Sequence, residues 1–143
     1  MLSTLGHTVS RAFHRVLAPL GLEPSEFAVM RAVGVDSGRS QQSLASRLHI
    51  SPSRMVAIVD RLEARSLIER RPQPGDRRVR ILFLTPPGHE LLETALRAAV
   101  EHEQRVGSAL SEGERAQLLE LLDRVAEALE LPPGAHAALR EPD

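Results

Sequence analysis

Apolar residues recur every three or four positions along most of this chain, a spacing that predicts amphipathic helices and a mainly helical protein. In the first segment, five apolar residues follow that spacing: Leu5, Val9, Phe13, Val16 and Leu20. A first helix is therefore predicted over residues 2–20, and it ends at Gly21, since glycine commonly closes a helix. Pro24-Ser25-Glu26 then opens a second, almost wholly apolar helix that runs to about Val33.

Two short helices separated by a turn at His49-Ile50 are predicted next. Ser40 is a suitable N-cap for the first of them, and Ser51 for the second, where Pro52 fills the first helical position. The second helix places four apolar residues on one face: Met55, Ile58, Val59 and Leu62. Its opposite side carries small and cationic residues: Ser53, Arg54, Ala57, Arg61 and Arg65.

The following segment predicts a β-hairpin with a basic tip. Two candidate strands, residues 68–71 and 79–85, flank a loop rich in proline and glycine. Alternation places three apolar residues on one side of the second strand: Val79, Ile81 and Phe83. The loop contains Asp76, Arg77 and Arg78, so that the tip carries positive charge.

Two more helices are predicted after the hairpin. The first runs from about His89 to Gly107, after a break at Pro86-Pro87-Gly88. Ser111 and Glu114 have the spacing of a capping box, which opens a last helix. Residues 131–143 are predicted to form a flexible tail.

Charge is strongly segregated along the chain, although its net value is only −1. Between Ser37 and Thr85 there are ten arginines against four acidic residues, so that this window carries +6 and the remainder −7. The chain has no lysine, and its guanidinium groups are suited to phosphates and guanine edges. A basic segment of this kind is typical of a surface that binds a polyanion.

Composition and motifs exclude several classes of function. The chain has no cysteine, which rules out disulfides and thiolate metal sites. Its histidines lack the paired spacing of a zinc site, and we predict no metal or other cofactor. No phosphate loop, nucleophile elbow or HExxH motif is present, so that an enzyme is not expected. No apolar run reaches the roughly 20 residues that cross a bilayer, and we expect a cytoplasmic protein without a membrane partner.

A helix, a turn, a second helix and a hairpin, in that order, make a winged helix-turn-helix. The predicted fold class is therefore mainly α (α+β), with this module at its centre. The helix from Ser51 to Arg65 would lie in a major groove of double-stranded DNA, with its aliphatic side packed behind it. An arginine tip on the hairpin would enter the narrower minor groove.

Several motifs in this region resemble the DNA-binding core of the MarR family of bacterial transcription regulators. The matching pieces are Leu44-Ala45-x-x-Leu48, Val59-Asp60-x-Leu62-Glu63, Leu67-Ile68-x-Arg70, Asp76-Arg77-Arg78 and Leu84-Thr85-x-x-Gly88. The resemblance extends over about residues 2–129. Ser66 and His49 stand where the family commonly has glycine, and each is expected to adopt a left-handed conformation.

The resemblance implies DNA-binding roles for particular residues. Asp76 and Arg78 match the family's wing aspartate and arginine, so that Asp76 would orient a guanidinium and Arg78 would probe the minor groove. Arg77 and Arg80 would contact phosphates. On the recognition helix, the implied contact residues are Ser51, Ser53, Arg54, Ala57 and Arg61.

Other charged residues of the basic segment leave two interpretations open. Arg70 and Arg71 either contact DNA or line a solvated strand face. Arg65 either contacts DNA or caps a helix end. Asp60 and Glu63 are expected to hold arginines within the molecule, because acids that face DNA would repel it.

The resemblance also implies a homodimer. Residues 1–143 are predicted to be one domain, in which residues 24–88 form the DNA-binding core and residues 1–21 and 89–130 form dimerisation helices. Two recognition helices would then meet successive major grooves, about 34 Å apart, on a pseudo-palindromic operator. The alternative is a monomer whose flanking helices fold back on its own core.

Many members of the family respond to small phenolic or carboxylate-bearing molecules that bind between the dimerisation helices and the DNA-binding module. The candidate effector residues here are Arg11, Phe13, His14, Phe27 and Met30. An arginine and a histidine beside phenylalanine would suit an aromatic carboxylate. The alternative is a hydrated or dimer-facing helix side, and His102 is expected in a solvated patch.

Together, these expectations predict a sequence-specific regulator that binds double-stranded DNA as a homodimer. They also predict that it is a repressor relieved by a small ligand. The alternative function is a winged-helix module that binds acidic protein surfaces and not DNA. Salt dependence separates the two, because the release of counterions from phosphates makes duplex affinity fall steeply with salt.

Overall fold

The computed structural model describes residues 1–131, so that the predicted tail lies outside the described residues except for Leu131. Within them, six α-helices and two strands follow in the order α1 (Leu2–Leu17), α2 (Pro24–Val35), α3 (Gln41–Leu48), α4 (Pro52–Ala64), β1 (Ile68–Gln73), β2 (Asp76–Leu84), α5 (Pro86–Val106) and α6 (Glu112–Ala128). The mainly helical prediction is confirmed, and α3, α4 and the hairpin form the winged helix-turn-helix.

Hydroxyl side chains begin the helices that the sequence marks most clearly. Ser40 and Ser51 accept backbone N–H bonds at the starts of α3 and α4, as predicted. Ser111 and Glu114 form the predicted capping box of α6. The backbone N–H and the hydroxyl of Ser111 both donate to the Glu114 carboxyl and lower its pKa.

The start of α5 differs from the prediction. The hydroxyl of Thr85 accepts the N–H of Gly88 at 3.1 Å and caps the helix. Pro86-Pro87-Gly88 is therefore the first turn of α5 and not a break before it, since proline is well tolerated where no helical N–H partner is needed. The helix α5 therefore begins three residues earlier than predicted.

The first helix is shorter than predicted. It ends at Leu17 and continues as a 3₁₀ helix (Ala18–Leu20), because Pro19 has no N–H to extend the α-helical ladder. Gly21 closes this segment with φ +63°, as predicted. His49 and Ser66 also adopt the predicted left-handed conformation, with φ values of +52° and +56°.

The hydrophobic core lies where α1, α2, α4, α5 and the hairpin meet. The predicted inner face of α4 is completely buried: Met55, Ile58, Val59 and Leu62. On β2, the predicted apolar face is only half-buried, whereas Leu82 and Leu84 on the opposite face are buried. This second face is the inner one because it packs against α2 and α5.

The hairpin has longer strands and a shorter tip than predicted. β1 and β2 pair antiparallel, with a register irregularity at Pro72, and only Pro74 and Gly75 lie between them. Gly75 has φ +88°, a conformation that favours glycine. Arg77 and Arg78 lie on β2 within this register irregularity, between the paired residues Asp76 and Arg80.

The flanking helices differ in how they pack. Phe13 and Leu17, near the end of α1, are buried in the core. In contrast, α6 buries none of its residues and has only marginal contact with the rest of the described chain. The large apolar residues left exposed include Leu2, Leu5, Leu118, Leu119, Leu121, Leu122, Val125 and Leu129. We also considered a monomer whose flanking helices fold back on its own core. The helix α6 does not pack in that way.

Among residues 1–131, no helix is both long and apolar enough to span a membrane.

At Gly88, the first turn of α5 lies close to the backbone of Leu67, just before the hairpin. A Cβ atom at Gly88 would lie 2.0 Å from the carbonyl oxygen of Leu67, which is backbone and has no rotamer to adopt. Gly88→Ala should therefore lower the free energy of unfolding by about 3 kcal/mol in urea denaturation. Gly113→Ala is the matched control, because a Cβ there meets nothing within 4 Å. Equal stability of the two variants would contradict the close approach.

Candidate nucleic-acid interface

α4 turns one side to the core and the other to solvent. Its outer side exposes Ser53, Ala57 and Arg61, as predicted, and Arg54 is half-buried beside them. Val56 was not predicted here, yet 43% of its surface is exposed. Its position three residues after Ser53 places it on the same helical stripe, and this spacing is the signal that identifies it.

A buried carboxylate on α2 binds Arg61. The Nε of Arg61 donates to Oε1 of Glu26 at 2.9 Å. About half of the Arg61 side chain nevertheless remains exposed on the outer side of α4. The two residues are 35 positions apart, so that no local pattern in the sequence indicates the pair.

Arg65 caps a helix end, which was one of its two interpretations. Its Nη1 donates to the carbonyl oxygen of Gly21 at 2.6 Å and lies 3.8 Å from Oε2 of Glu26. The last turn of α4 is thereby fixed to the junction between α1 and α2. No DNA contact needs to be assigned to Arg65.

Arg70 fastens the wing to the two helices beside it. Its guanidinium binds Glu63 and Asp60 of α4, and its Nε donates to Gln41 of α3 at 3.1 Å. The side chain is only 19% exposed. The expectation that Asp60 and Glu63 hold an arginine within the molecule is confirmed. Arg70 is therefore a link between the wing and the helices and not a solvated side chain.

Other arginines of the basic segment are also paired. Arg39 and Arg47 both bind Asp36. Arg71 binds Glu69 and lies over the ring of Phe83, 4.5 Å from its centre. These ion pairs offset part of the positive charge of the basic segment. Within residues 1–131, the arginines of this segment without such a partner therefore lie mainly on the wing.

The outer surface of the wing carries three exposed arginines: Arg77, Arg78 and Arg80. Among residues 1–131, none of the three has a carboxylate within ion-pair distance. Oδ1 of Asp76 accepts the backbone N–H of Arg78 at 3.0 Å. The prediction that Asp76 orients a guanidinium is wrong in this structure, because its carboxylate fixes the backbone that carries Arg78.

A hollow of about 370 Å³ lies between α3, α4 and β2. Pro52 and Val56 of α4 line it on one side, and Arg78 and Arg80 of β2 line it on the other. The recognition helix and the wing therefore form one concave surface with cationic groups on the strand side. Such a surface has the charge and the shape to follow a duplex backbone.

A second hollow, of about 460 Å³, lies between α1, α2 and α5. Phe13 and Phe27 form an apolar wall, with their rings edge to face and 5.6 Å apart. Arg31 and His102 line the same hollow and supply polar groups. Two of the five predicted effector residues, Phe13 and Phe27, therefore lie at one cleft.

The other three predicted effector residues do not line this hollow. Arg11 and His14 are rotated to the solvent side of α1, where His14 lies 3.4 Å from Glu23. Met30 is completely buried. Arg11 and His14 do not reach the cleft because helical neighbours of Phe13 point in other directions. The cationic side chain that lines the cleft is Arg31 of α2.

His102 lies inside the protein and not in a solvated patch, so that this prediction is wrong. It is 7% exposed, and its ring centre lies 5.6 Å from that of Phe13, with the two planes tilted by 39°. Its Nε2 has no hydrogen-bond partner among residues 1–131. Although two glutamates flank it, His102 continues the apolar stripe of α5: Leu92, Ala95 and Ala99. The three- and four-residue spacing of this stripe was the signal in the sequence that His102 is buried.

No group of three or more histidine or acidic side chains in the described chain is arranged to hold a metal ion.

Comparison with known proteins identifies similar sequences. Residues 20–79 match the model of the MarR family. A protein of Thauera aromatica, whose name assigns it to transcriptional regulation of the hcr operon, is 33% identical over 116 residues, or 80% of this chain and 70% of that protein. The HTH-type transcriptional regulator PecS of Dickeya dadantii is 32% identical over 131 residues, or 90% of this chain and 79% of PecS.

A solved structure extends the similarity to three dimensions. The transcriptional repressor CouR, bound to a 23-mer DNA duplex, is 35% identical and superposes with a TM-score of 0.81. The match covers 87% of this chain and 89% of CouR. The similarity therefore includes flanking helices as well as the winged module.

Proposed function

Because this chain belongs to the MarR family of bacterial transcription regulators, it is a DNA-binding regulator of transcription, and we propose that it acts as a homodimeric repressor on a pseudo-palindromic operator. The observation that carries this proposal is the concave basic surface formed by α4 and the wing. CouR is a repressor bound to a DNA duplex, which supports the sign of regulation and the partner. The relatives do not support the alternative of a module that binds only proteins.

The outer side of α4 is proposed to enter the major groove. Ser53, Val56 and Ala57 face the base edges, where small and aliphatic side chains contact thymine methyl groups and hydroxyls bind polar edges. Ser51 and Arg54, at the start of the helix, contact the backbone. Contacts to phosphate fix the register, and contacts to bases specify the sequence.

The wing is proposed to follow the backbone beside that groove. Arg78 enters the minor groove, whose narrow A·T-rich stretches attract guanidinium groups. Arg77 and Arg80 contact the phosphates on either side. Asp76 supports these contacts through its bond to the Arg78 backbone. The regulator acts on DNA in the cytoplasm, and its role includes no catalysis.

A second copy of the chain is proposed to cover the exposed apolar side chains of α6 and of the start of α1. Such a face is costly to leave in water and suits an isologous interface. Twofold symmetry then presents two recognition helices to successive major grooves, about 34 Å apart.

A small aromatic carboxylate is proposed as the effector. Its ring packs against Phe13 and Phe27, its carboxylate pairs with Arg31, and Nε2 of His102 gains a hydrogen-bond partner. A ligand that prefers a dimer with wrongly spaced recognition helices lowers DNA affinity by its differential affinity for the two states.

The role of the wing predicts that Arg78→Ala weakens operator binding by about 1–3 kcal/mol without changing the dimer. The measurement is fluorescence anisotropy with a duplex that the wild type has selected from a randomised pool. Arg97→Ala, which removes an exposed arginine from α5, is the control and should bind normally. A wild-type affinity that does not fall with salt would instead favour the protein-interaction module.

The dimer predicts that Leu122→Asp produces monomers in sedimentation velocity, because a carboxylate would be buried in the interface. Val35→Asp places the same charge on an exposed valine at the end of α2 and should leave the dimer intact. Dimers of unchanged strength in Leu122→Asp would exclude α6 from the interface.

The effector cleft predicts that Arg31→Ala weakens the binding of benzoate about ten-fold in titration calorimetry, because the carboxylate loses a charge-assisted bond. Arg11→Ala removes the same charge from the solvent side of α1 and should bind benzoate as the wild type does. Equal binding by all three proteins would refute the cleft as the site of this ligand class.

A further inference from the structure

We propose that Glu26 is a positioning residue for DNA binding, which holds Arg61 of α4 so that its guanidinium contacts a DNA phosphate. The inference deepens the proposed function and rests on it, because it takes α4 as the helix that enters the major groove. Glu26 lies behind α4, on α2, and acts only through Arg61.

Glu26 is a buried acid on α2 that packs against arginines of the basic segment. Its side chain is 5% exposed, and both of its carboxylate oxygens are used. Oε1 accepts from Nε of Arg61 at 2.9 Å, and Oε2 accepts the backbone N–H of Glu23 at 3.0 Å. An ionised carboxylate at this depth is stable only when it is paired. Arg61, with Arg65 at a longer distance, supplies that pairing.

The bond to Glu26 fixes the orientation of Arg61 without burying it. A guanidinium offers five N–H donors in a rigid plane, and the bond to Glu26 uses Nε. About half of the side chain stays exposed, on the helical stripe that also carries Ser53 and Ala57. Because the side chain is held before DNA arrives, less rotamer entropy is lost on binding.

The same carboxylate joins α4 to the first helix. Arg65, one turn after Arg61, donates to the backbone at the end of the 3₁₀ helix. Glu23 shares a capping box with Glu26 and lies 3.4 Å from His14 of α1. Phe27, the next residue, lines the proposed effector cleft. Glu26 therefore joins α2, which also lines the proposed effector cleft, directly to Arg61.

Charge alone predicts the opposite of this proposal. Removing a carboxylate makes the protein more positive, so that Glu26→Ala would strengthen duplex binding if Glu26 only repelled phosphates. If Glu26 positions Arg61, we expect Glu26→Ala to bind the selected duplex about ten-fold more weakly. The slope of log affinity against log salt should also fall by about 2 for the dimer, since one phosphate contact is lost at each Arg61.

Three comparisons separate positioning from a general effect on the fold. Glu26→Gln should bind more tightly than Glu26→Ala, because its amide oxygen still accepts from Nε of Arg61, although its NH2 group cannot accept the backbone N–H of Glu23. Glu93→Ala is the matched control, since it removes an exposed acid from another arginine on α5 and should not weaken binding. In an Arg61→Ala background, Glu26→Ala should cause no further loss of affinity.

Anisotropy at several salt concentrations, on proteins whose folded fraction is checked by circular dichroism, decides the outcome. If Glu26→Ala does not fold, Glu26→Asp carries the same expectation, because its shorter side chain withdraws from Arg61. Unchanged affinity and slope in the folded variant, or additive losses with Arg61→Ala, would overturn the proposal. Absence of salt-dependent duplex binding by the wild type would instead overturn the proposed function.

Discussion

The burial of one side of α4 is the constraint on which the DNA-facing surface depends. Four aliphatic side chains at three- and four-residue spacing lie in the core, and this fixes the rotation of the helix about its axis. The rotation then decides which residues form the outer stripe. The hydrophobic effect has no direction, however, so that it sets the depth and rotation of the helix but not the direction of each polar side chain.

The direction of the polar side chains is set by acidic residues that bind arginines of the basic segment. Glu26 binds Arg61, while Glu63 and Asp60 bind Arg70, so that the recognition helix is tied to α2 on one side and to the wing on the other. These acids reduce the net positive charge, which on its own would weaken attraction to DNA. The same ion pairs, however, fix the positions of α2, α4 and the wing relative to one another. The positive charge of the segment is thus divided between groups that hold the module together and groups that face outward.

Local sequence patterns predicted the elements because their causes are local. Serine caps act within one turn, and the apolar spacing of α4 records which side is buried. The predictions failed where contacts join distant residues or where one signal hides another. The partner of Arg61 lies on a different helix. His102 was misplaced because its acidic neighbours obscured an apolar stripe, and Asp76 because a carboxylate can bind either a guanidinium or a nearby backbone N–H.

The weak packing of α6 affects how the stability of the protein responds to its abundance. A single helix of 17 residues is marginally stable in water, and α6 buries none of its residues within one chain. In the proposed dimer, association supplies the missing burial, so that mass action makes the thermal midpoint rise with protein concentration. The number of copies in a cell then sets the fraction of chains that are fully folded, and a small change in synthesis changes the amount of competent regulator more than proportionally.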